Sequence, residues 1–201
     1  MEINATLVKE LREKTGVGMM DCKKALQESK GDLTLAVEVL RKKGIATAKK
    51  RGGRATSEGQ VTAYIHPGAK IGVLVEVNCE TDFSGKTEDF SAFVKNIAMQ
   101  IAAANPLSVD RDGIPASVLE KEREIYVTQA KESGKPDKVI DKIVEGKMTK
   151  FYSEACLLEQ PYVKNPDIKV QDLLNELMAK TGENIVIRRF TRYQLGESDE
   201  R

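Results

Sequence analysis

Hydrophobic positions along this chain change their period from segment to segment, and each change marks an element. Near the N-terminus they recur at helical spacing in three short runs. Leu7, Val8 and Leu11 share one face, with Asn4 at the N-cap position. The Thr15-Gly16-Val17-Gly18 stretch breaks this helix, because two glycines so close together disfavour it. A second helix runs from about Met20 to Ser29, with Cys22, Ala25 and Leu26 as its apolar side. Gly31-Asp32 then ends one helix and caps another that carries Leu33, Ala36, Val39 and Leu40. Helices this short survive in water only by packing on each other, so residues 1–43 are expected to form a small three-helix domain.

Periodicity fades over 44–56, GIATAKKRGGRAT, which reads as a linker. Alternation follows, with Val61, Ala63 and Ile65 on one side of a strand and Ile71, Val73, Val75, Val77 and Cys79 on one side of the next. Between them His66-Pro67-Gly68-Ala69 suits a type II turn, with proline and glycine at its centre. The expectation is a hairpin with one strongly apolar face. A helical stripe of Phe90, Phe93, Val94, Ile97 and Ile101, closed by Asn105-Pro106, can cover such a sheet.

Residues 115–154 read as a helical hairpin. Its first arm is charged, its tip is Ser133-Gly134-Lys135-Pro136-Asp137, and its second arm carries Ile140, Ile143, Val144, Met148 and Phe151. Cys156 to Pro166 reads as irregular. A last helix with Val170, Leu173, Leu174 and Leu177 stops at Gly182, and a strand opens at Ile185-Val186-Ile187 and continues through Phe190. The tail, 197–201, is polar. The fold class is therefore α+β: a three-helix domain (1–43), a linker (44–56), and an antiparallel-sheet-plus-helices core (57–114 and 155–196). The helical hairpin (115–154) is inserted in that core.

Composition narrows the function classes. Of 201 residues, 40% are hydrophobic and 31% charged, an ordinary globular balance. With 32 basic and 31 acidic residues the net charge is +1, which argues against a general nucleic-acid binder. The three cysteines, Cys22, Cys79 and Cys156, are widely spaced and form no metal knuckle, which fits reduced thiols in the cytoplasm. The N-terminus lacks a signal-peptide core, and no apolar run reaches the roughly 20 residues of a membrane span.

Candidate chemistry is sparse. No phosphate-cradling glycine motif occurs. A Cys79–His66 dyad is conceivable, but Cys79 shares the apolar face of Val75 and Val77, where a thiol serves as a small core hydrophobe. Glu76, Glu80 and Asp82 lack the spacing of a metal loop. The basic group Lys49, Lys50, Arg51 and Arg54 suits either RNA contact or a solvated connector. Phe83 has two readings as well. It is either a core aromatic at a helix start, or an aromatic offered to a partner from the polar connection Thr81-Asp82-Phe83-Ser84-Gly85. Met19 and Met20 cannot both face one small core, so at least one is expected at the surface.

Two stretches carry a resemblance. Leu11-Arg12-Glu13-Lys14-Thr15-Gly16-Val17-Gly18-Met19-Met20-Asp21-Cys22-Lys23-Lys24-Ala25-Leu26 resembles the N-terminal signature of the bacterial elongation factor Ts family. Gly72-Val73-Leu74-Val75-Glu76-Val77-Asn78-Cys79-Glu80-Thr81-Asp82-Phe83 resembles its second signature. The resemblance runs over nearly the whole chain and implies a guanine-nucleotide exchange factor for elongation factor Tu, acting on its GDP-bound and nucleotide-free forms. It implies a ubiquitin-associated-like N-terminal domain, no cofactor, no enzymatic chemistry and no direct nucleic-acid binding. By the same resemblance, Lys9, Arg12, Met19 and Met20 hold the partner, the hairpin is a protruding coiled coil, and Thr81, Asp82, Phe83 and Ser84 form the loop that intrudes near the partner's magnesium site. Ser84 departs from the family's usual valine. Longer members carry two core modules and this chain one, which implies a homodimer.

Overall fold

The computed structural model describes residues 3–134 and 136–197, apart from the side chains of 47–49. The tail beyond Glu197, Lys135 at the hairpin tip and the side chain of Lys49 in the basic group thus lie outside the described residues. Two compact units divide the chain. The first holds Met1–Gln60, Val77–Val94 and Asp172–Val186, and the second Val61–Glu76, Lys95–Gln171 and Ile187–Arg201.

In the first unit, α1 (Ala5–Thr15), α2 (Met19–Glu28) and α3 (Leu33–Arg51) form the expected bundle. The Asn4 carboxamide oxygen accepts the Thr6 N–H at 2.9 Å and starts α1. Gly16, at φ 67°, stops it with an N–H donated to the Arg12 carbonyl at 2.7 Å. Val8, Leu11, Cys22, Ala25, Leu26, Ala36 and Leu40 make one buried cluster, and each is a residue the helical spacing or the small apolar side singles out.

α3 corrects the reading of 44–56 as open linker, because it continues as helix to Arg51. An interior glycine costs a helix about 1 kcal/mol relative to alanine. Here Gly44 lets α3 lie close to α8 (Val170–Thr181): a Cβ at Gly44 would stand 3.2 Å from that of Ala179. Arg41 and Asp172 add an ion pair at 3.0 Å. Tertiary packing thus overrides the local signal.

Strands β1 (Glu58–Ile65), β2 (Ile71–Cys79) and β5 (Ile185–Gln194) form a sheet in the order β1-β2-β5. The His66 N–H donates to the Ile71 carbonyl at one end of the β1–β2 hairpin. Leu195 N–H bonds to Lys70 O, and Arg189 meets Glu76 at 2.7 Å, so β5 runs antiparallel to β2. The turn has the predicted form, with Gly68 at φ 91° and the Ala69 N–H donating to His66 O at 2.9 Å.

The apolar alternation of β2 is buried as expected at Val73, Val75, Val77 and Cys79. The alternation of β1 is not. Val61, Ala63 and Ile65 are exposed, and Gln60, Thr62 and Tyr64 occupy the inner register. The cause is visible at Gln60, whose side-chain amide donates to Gly85 O at 2.6 Å and Ser91 Oγ at 2.9 Å. With a period of two, fixing that residue inward sends every apolar neighbour outward.

α4 (Asp82–Gly85) is a single turn, and α5 (Glu88–Ala104) buries Phe90, Phe93, Val94, Ile97 and Ile101 as predicted. In the second unit, α6 (Ala116–Glu132) and α7 (Asp137–Ala155) form the helical hairpin. It has its own buried cluster of Ala130, Ile140, Val144 and Met148. The stretch read as irregular contains a 3-10 turn, Leu157–Glu159, and a short antiparallel pair, β3 (Pro161–Tyr162) and β4 (Asn165–Lys169). Buried Gln100 holds this pair. Its amide donates to Gln160 and to Pro161 O, and its oxygen accepts the Val163 N–H. Prolines hide such a pair from pattern reading because they look like breakers. Among the described residues no helix is long and apolar enough to cross a membrane.

Candidate functional site

β2 ends in a buried thiol, and the chain then turns outward. Cys79 Sγ donates to the Thr81 carbonyl at 3.1 Å, and burial raises its pKa above the ordinary thiol value. That is the environment of an inert core cysteine. His66 pairs instead with Tyr64, whose hydroxyl lies 3.1 Å from Nδ1. Among the described residues no group of three His, Cys, Asp or Glu side chains could hold a metal ion.

Two glycines let the backbone close up beneath the turn. Gly59 has φ 138°, and a Cβ there would stand 2.1 Å from the Val77 carbonyl oxygen. Gly85 lies against Cys79 Sγ and the Gly59 backbone. Above them Thr81, in extended conformation, caps α4 by accepting the Ser84 N–H on its hydroxyl at 3.4 Å. The connection between strand and helix is therefore a capped helical turn.

This turn points its second residue into solvent. Phe83 is 81% exposed, which removes the core-aromatic reading. Asp82 beside it accepts from Lys86 Nζ at 2.6 Å. That hydrogen bond holds the Asp82 carboxyl below its ordinary pKa and raises that of Lys86. Ser84 faces the other way. It is 6% exposed, and its Oγ is buried without a hydrogen-bond partner among the described residues. Within the four-residue turn, Asp82 and Phe83 are thus offered outward and Ser84 is not.

The base of the turn is fastened from the α8–β5 connection. One carboxylate, Glu183, accepts the N–H of Glu80 at 3.2 Å, the N–H of Thr81 at 3.1 Å and the Thr81 hydroxyl at 2.5 Å. In the other direction Glu80 accepts the Asn184 N–H at 2.6 Å and pairs with Arg54 at 3.4 Å. The first of these bonds, with Arg54 adding to it, lowers the Glu80 pKa. Asn184 also donates its side-chain amide to Arg54 O at 2.9 Å. Sequence reasoning did not find Glu183, Asn184 or Arg54 as supports. Their only local signal is a polar pair after the helix-stopping Gly182.

The other candidate residues lie on the bundle. Met19 and Met20 open α2 and are 56% and 65% exposed. Lys9 and Arg12 are exposed on α1, one turn apart, with Lys9 only 3.9 Å from Glu13 in a loose surface pair. Both methionines are at the surface, one more than the sequence argument requires.

A family model described as Elongation factor TS matches residues 48–197. Elongation factor Ts of Syntrophobacter fumaroxidans is 62% identical over 196 residues, covering 98% of this chain and 98% of that protein. The chain belongs to the Elongation factor Ts family. Elongation factor Ts of Desulfotalea psychrophila is 61% identical over 196 residues, covering 98% of this chain and all of that protein. That of Thermoanaerobacter sp. strain X514 is 61% identical over 198 residues, covering 98% and 97%. The Elongation factor Ts family model begins at residue 48, so the turn at Thr81–Ser84 lies inside it, whereas Lys9, Arg12, Met19 and Met20 precede it. The full-length relatives extend the likeness over the bundle as well.

Proposed function

We propose that this protein is the guanine-nucleotide exchange factor for elongation factor Tu in translation elongation, and that Phe83 is its working tip. The observation that carries the reading is an aromatic ring 81% exposed on a single helical turn whose base is held by a carboxylate. A nucleoside diphosphate in such a partner is held largely through magnesium and backbone donors around its phosphates. A rigid ring that fits only the disturbed arrangement of those donors shifts the partner toward it and weakens nucleotide binding. By linkage the nucleotide weakens binding of the factor by the same factor. Asp82, charged and paired with Lys86, acts on neighbouring polar groups. No bond is made or broken, so the role needs no catalytic residue and no cofactor, and it belongs in the cytoplasm without direct nucleic-acid contact.

Lys9, Arg12, Met19 and Met20 supply the second contact, with the adaptable methionines as anchors. In this reading the bundle over 1–43 is one module and the core over 57–114 and 155–196 another. The hairpin over 115–154 extends the contact surface. Pairing of two chains supplies two core modules, and the exposed apolar sheet face supports such a homodimer. Ile65 stands opposite Gly72 in the hairpin register, so Val61, Ala63 and Ile65 share a face with Leu74 and, on β5, Tyr193.

The test is release of fluorescent GDP from purified elongation factor Tu at fixed magnesium. Strong acceleration by substoichiometric amounts of this protein is the expected result. Absence of acceleration with a matched-species partner overturns the reading. Equal acceleration by residues 1–54 alone transfers the activity to the bundle.

A further inference from the structure

The Phe83 turn is too short to hold itself. A four-residue helix gains almost nothing from propagation, so its direction depends on its N-cap. That cap is Thr81, and the Thr81 hydroxyl sits in a chain of two hydrogen bonds. It accepts the Ser84 N–H and donates to Glu183 at 2.5 Å. A hydroxyl that donates to a carboxylate is a better acceptor for the next donor. The same carboxylate takes the N–H groups of Glu80 and Thr81. These three bonds fix both the backbone entering the turn and the rotamer that caps it.

Glu183 is itself well held. Gly182 ends α8 at φ 75°, and the Glu183 N–H donates to Thr181 Oγ at 3.3 Å. The connection from α8 to β5 has other fastenings, since Asn184 bonds to Glu80 and to Arg54 O. Among the described residues, the side-chain hydrogen bonds of Glu183 all go to residues 80 and 81. Its carboxylate therefore serves the turn rather than its own loop.

We propose that Glu183 is a positioning residue for nucleotide exchange, acting through Thr81 to hold the one-turn helix that presents Phe83. The role rests on the exchange reading above. Glu183 shapes the turn before any partner arrives, so its removal lowers the effect of the bound factor more than it lowers binding.

The experiment uses the full chain with Glu183→Ala, Glu183→Gln, Thr81→Val and Thr81→Ser. The first readout is backbone amide hydrogen exchange at Glu80, Thr81 and Ser84. Loss of a charge-assisted acceptor is expected to speed exchange there by about tenfold or more. The midpoint of thermal unfolding should stay within a few degrees. The second readout is the plateau rate of fluorescent-GDP release against the concentration giving half that rate. Glu183→Ala and Thr81→Val should each lower the plateau by about tenfold, with a smaller change in the half-effective concentration. The double variant should be no worse than either single one, and Thr81→Ser, which keeps the hydroxyl, should retain the plateau. Unchanged amide protection at 80 and 81 in folded Glu183→Ala, which removes the acceptor that Glu183→Gln retains, overturns the proposal. So does a double variant whose loss is the product of the two single losses. If the unmodified protein fails to accelerate GDP release, the exchange reading falls, while the amide data still decide whether Glu183 holds the turn.

Discussion

Phe83 and the outer face of the β1-β2-β5 sheet are both apolar and both exposed, and the proposed function gives them different work. Phe83 is one ring on a polar footing of Thr81, Asp82, Lys86 and Glu183. It offers little area and a fixed direction, as suits entry into a pocket. The sheet face offers Val61, Ile65, Leu74 and Tyr193 on a broad, regular surface. Several exposed apolar side chains on one face suit the proposed association with a like surface. Exposed hydrophobicity by itself therefore does not define a role; its shape and its support do. Changes that strike one region and spare the other test this division.

The largest effect is expected at Gly59, which underlies the comparison because β1 carries the sheet face and also lies beneath the turn. An alanine there places Cβ 2.1 Å from Val77 O, against backbone that has no flexible end to yield. Gly59→Ala should cost about 3 kcal/mol or more of stability, measured by urea unfolding. A loss below about 1 kcal/mol would mean that the β1–β2 contact adjusts and that the turn does not need it.

Phe83→Ala comes next and should separate the two regions cleanly. Removal of an anchor aromatic costs about 2 kcal/mol, roughly thirtyfold, and here it should appear in stimulated GDP release. Stability and oligomeric state should be unchanged, because the ring is exposed and is not one of the sheet-face residues. The reciprocal change is Val61→Glu with Ile65→Glu. On the proposal that this face pairs, two charges there should weaken self-association by about ten- to a hundredfold, read by light scattering across a dilution series. Secondary structure by circular dichroism should be retained. Self-association that persists unchanged in that variant would move the proposed interface off this face.

The legible parts of the molecule are those in which one helix or strand decides its own burial. The bundle core, from Val8 to Leu40, and the α5 stripe follow directly from a period of 3.6. Alternation in β1 predicts a strand correctly but not which side is buried. That depends on Gln60 reaching Gly85 and Ser91, 25 and 31 residues away. The helical run of α3 through Gly44 depends on α8, and the β3–β4 pair depends on Gln100. The exposure of Phe83 is foreshadowed by the polar connection around it. Glu183, 102 residues from Thr81, has only the polar pair after Gly182 as a local signal, and nothing there points to Thr81. A turn's direction is readable from its own residues only when those residues alone hold it.

Ser84 gives the smallest predicted effect and isolates the inner side of the turn. Its hydroxyl is buried and unpartnered, and an unmet polar group of this kind costs about 1–3 kcal/mol. Valine removes that penalty and adds apolar contact, at some cost in space because the site is already closed. Ser84→Val should therefore stabilise the protein by about 1 kcal/mol, a rise of roughly 2–4 °C in unfolding midpoint. Since the side chain is buried in this chain, stimulated GDP release should stay within about twofold. A gain in exchange rate well beyond that, without a gain in stability, would show that position 84 reaches the partner after all, and would extend the working surface of the turn from Asp82 and Phe83 to its third residue.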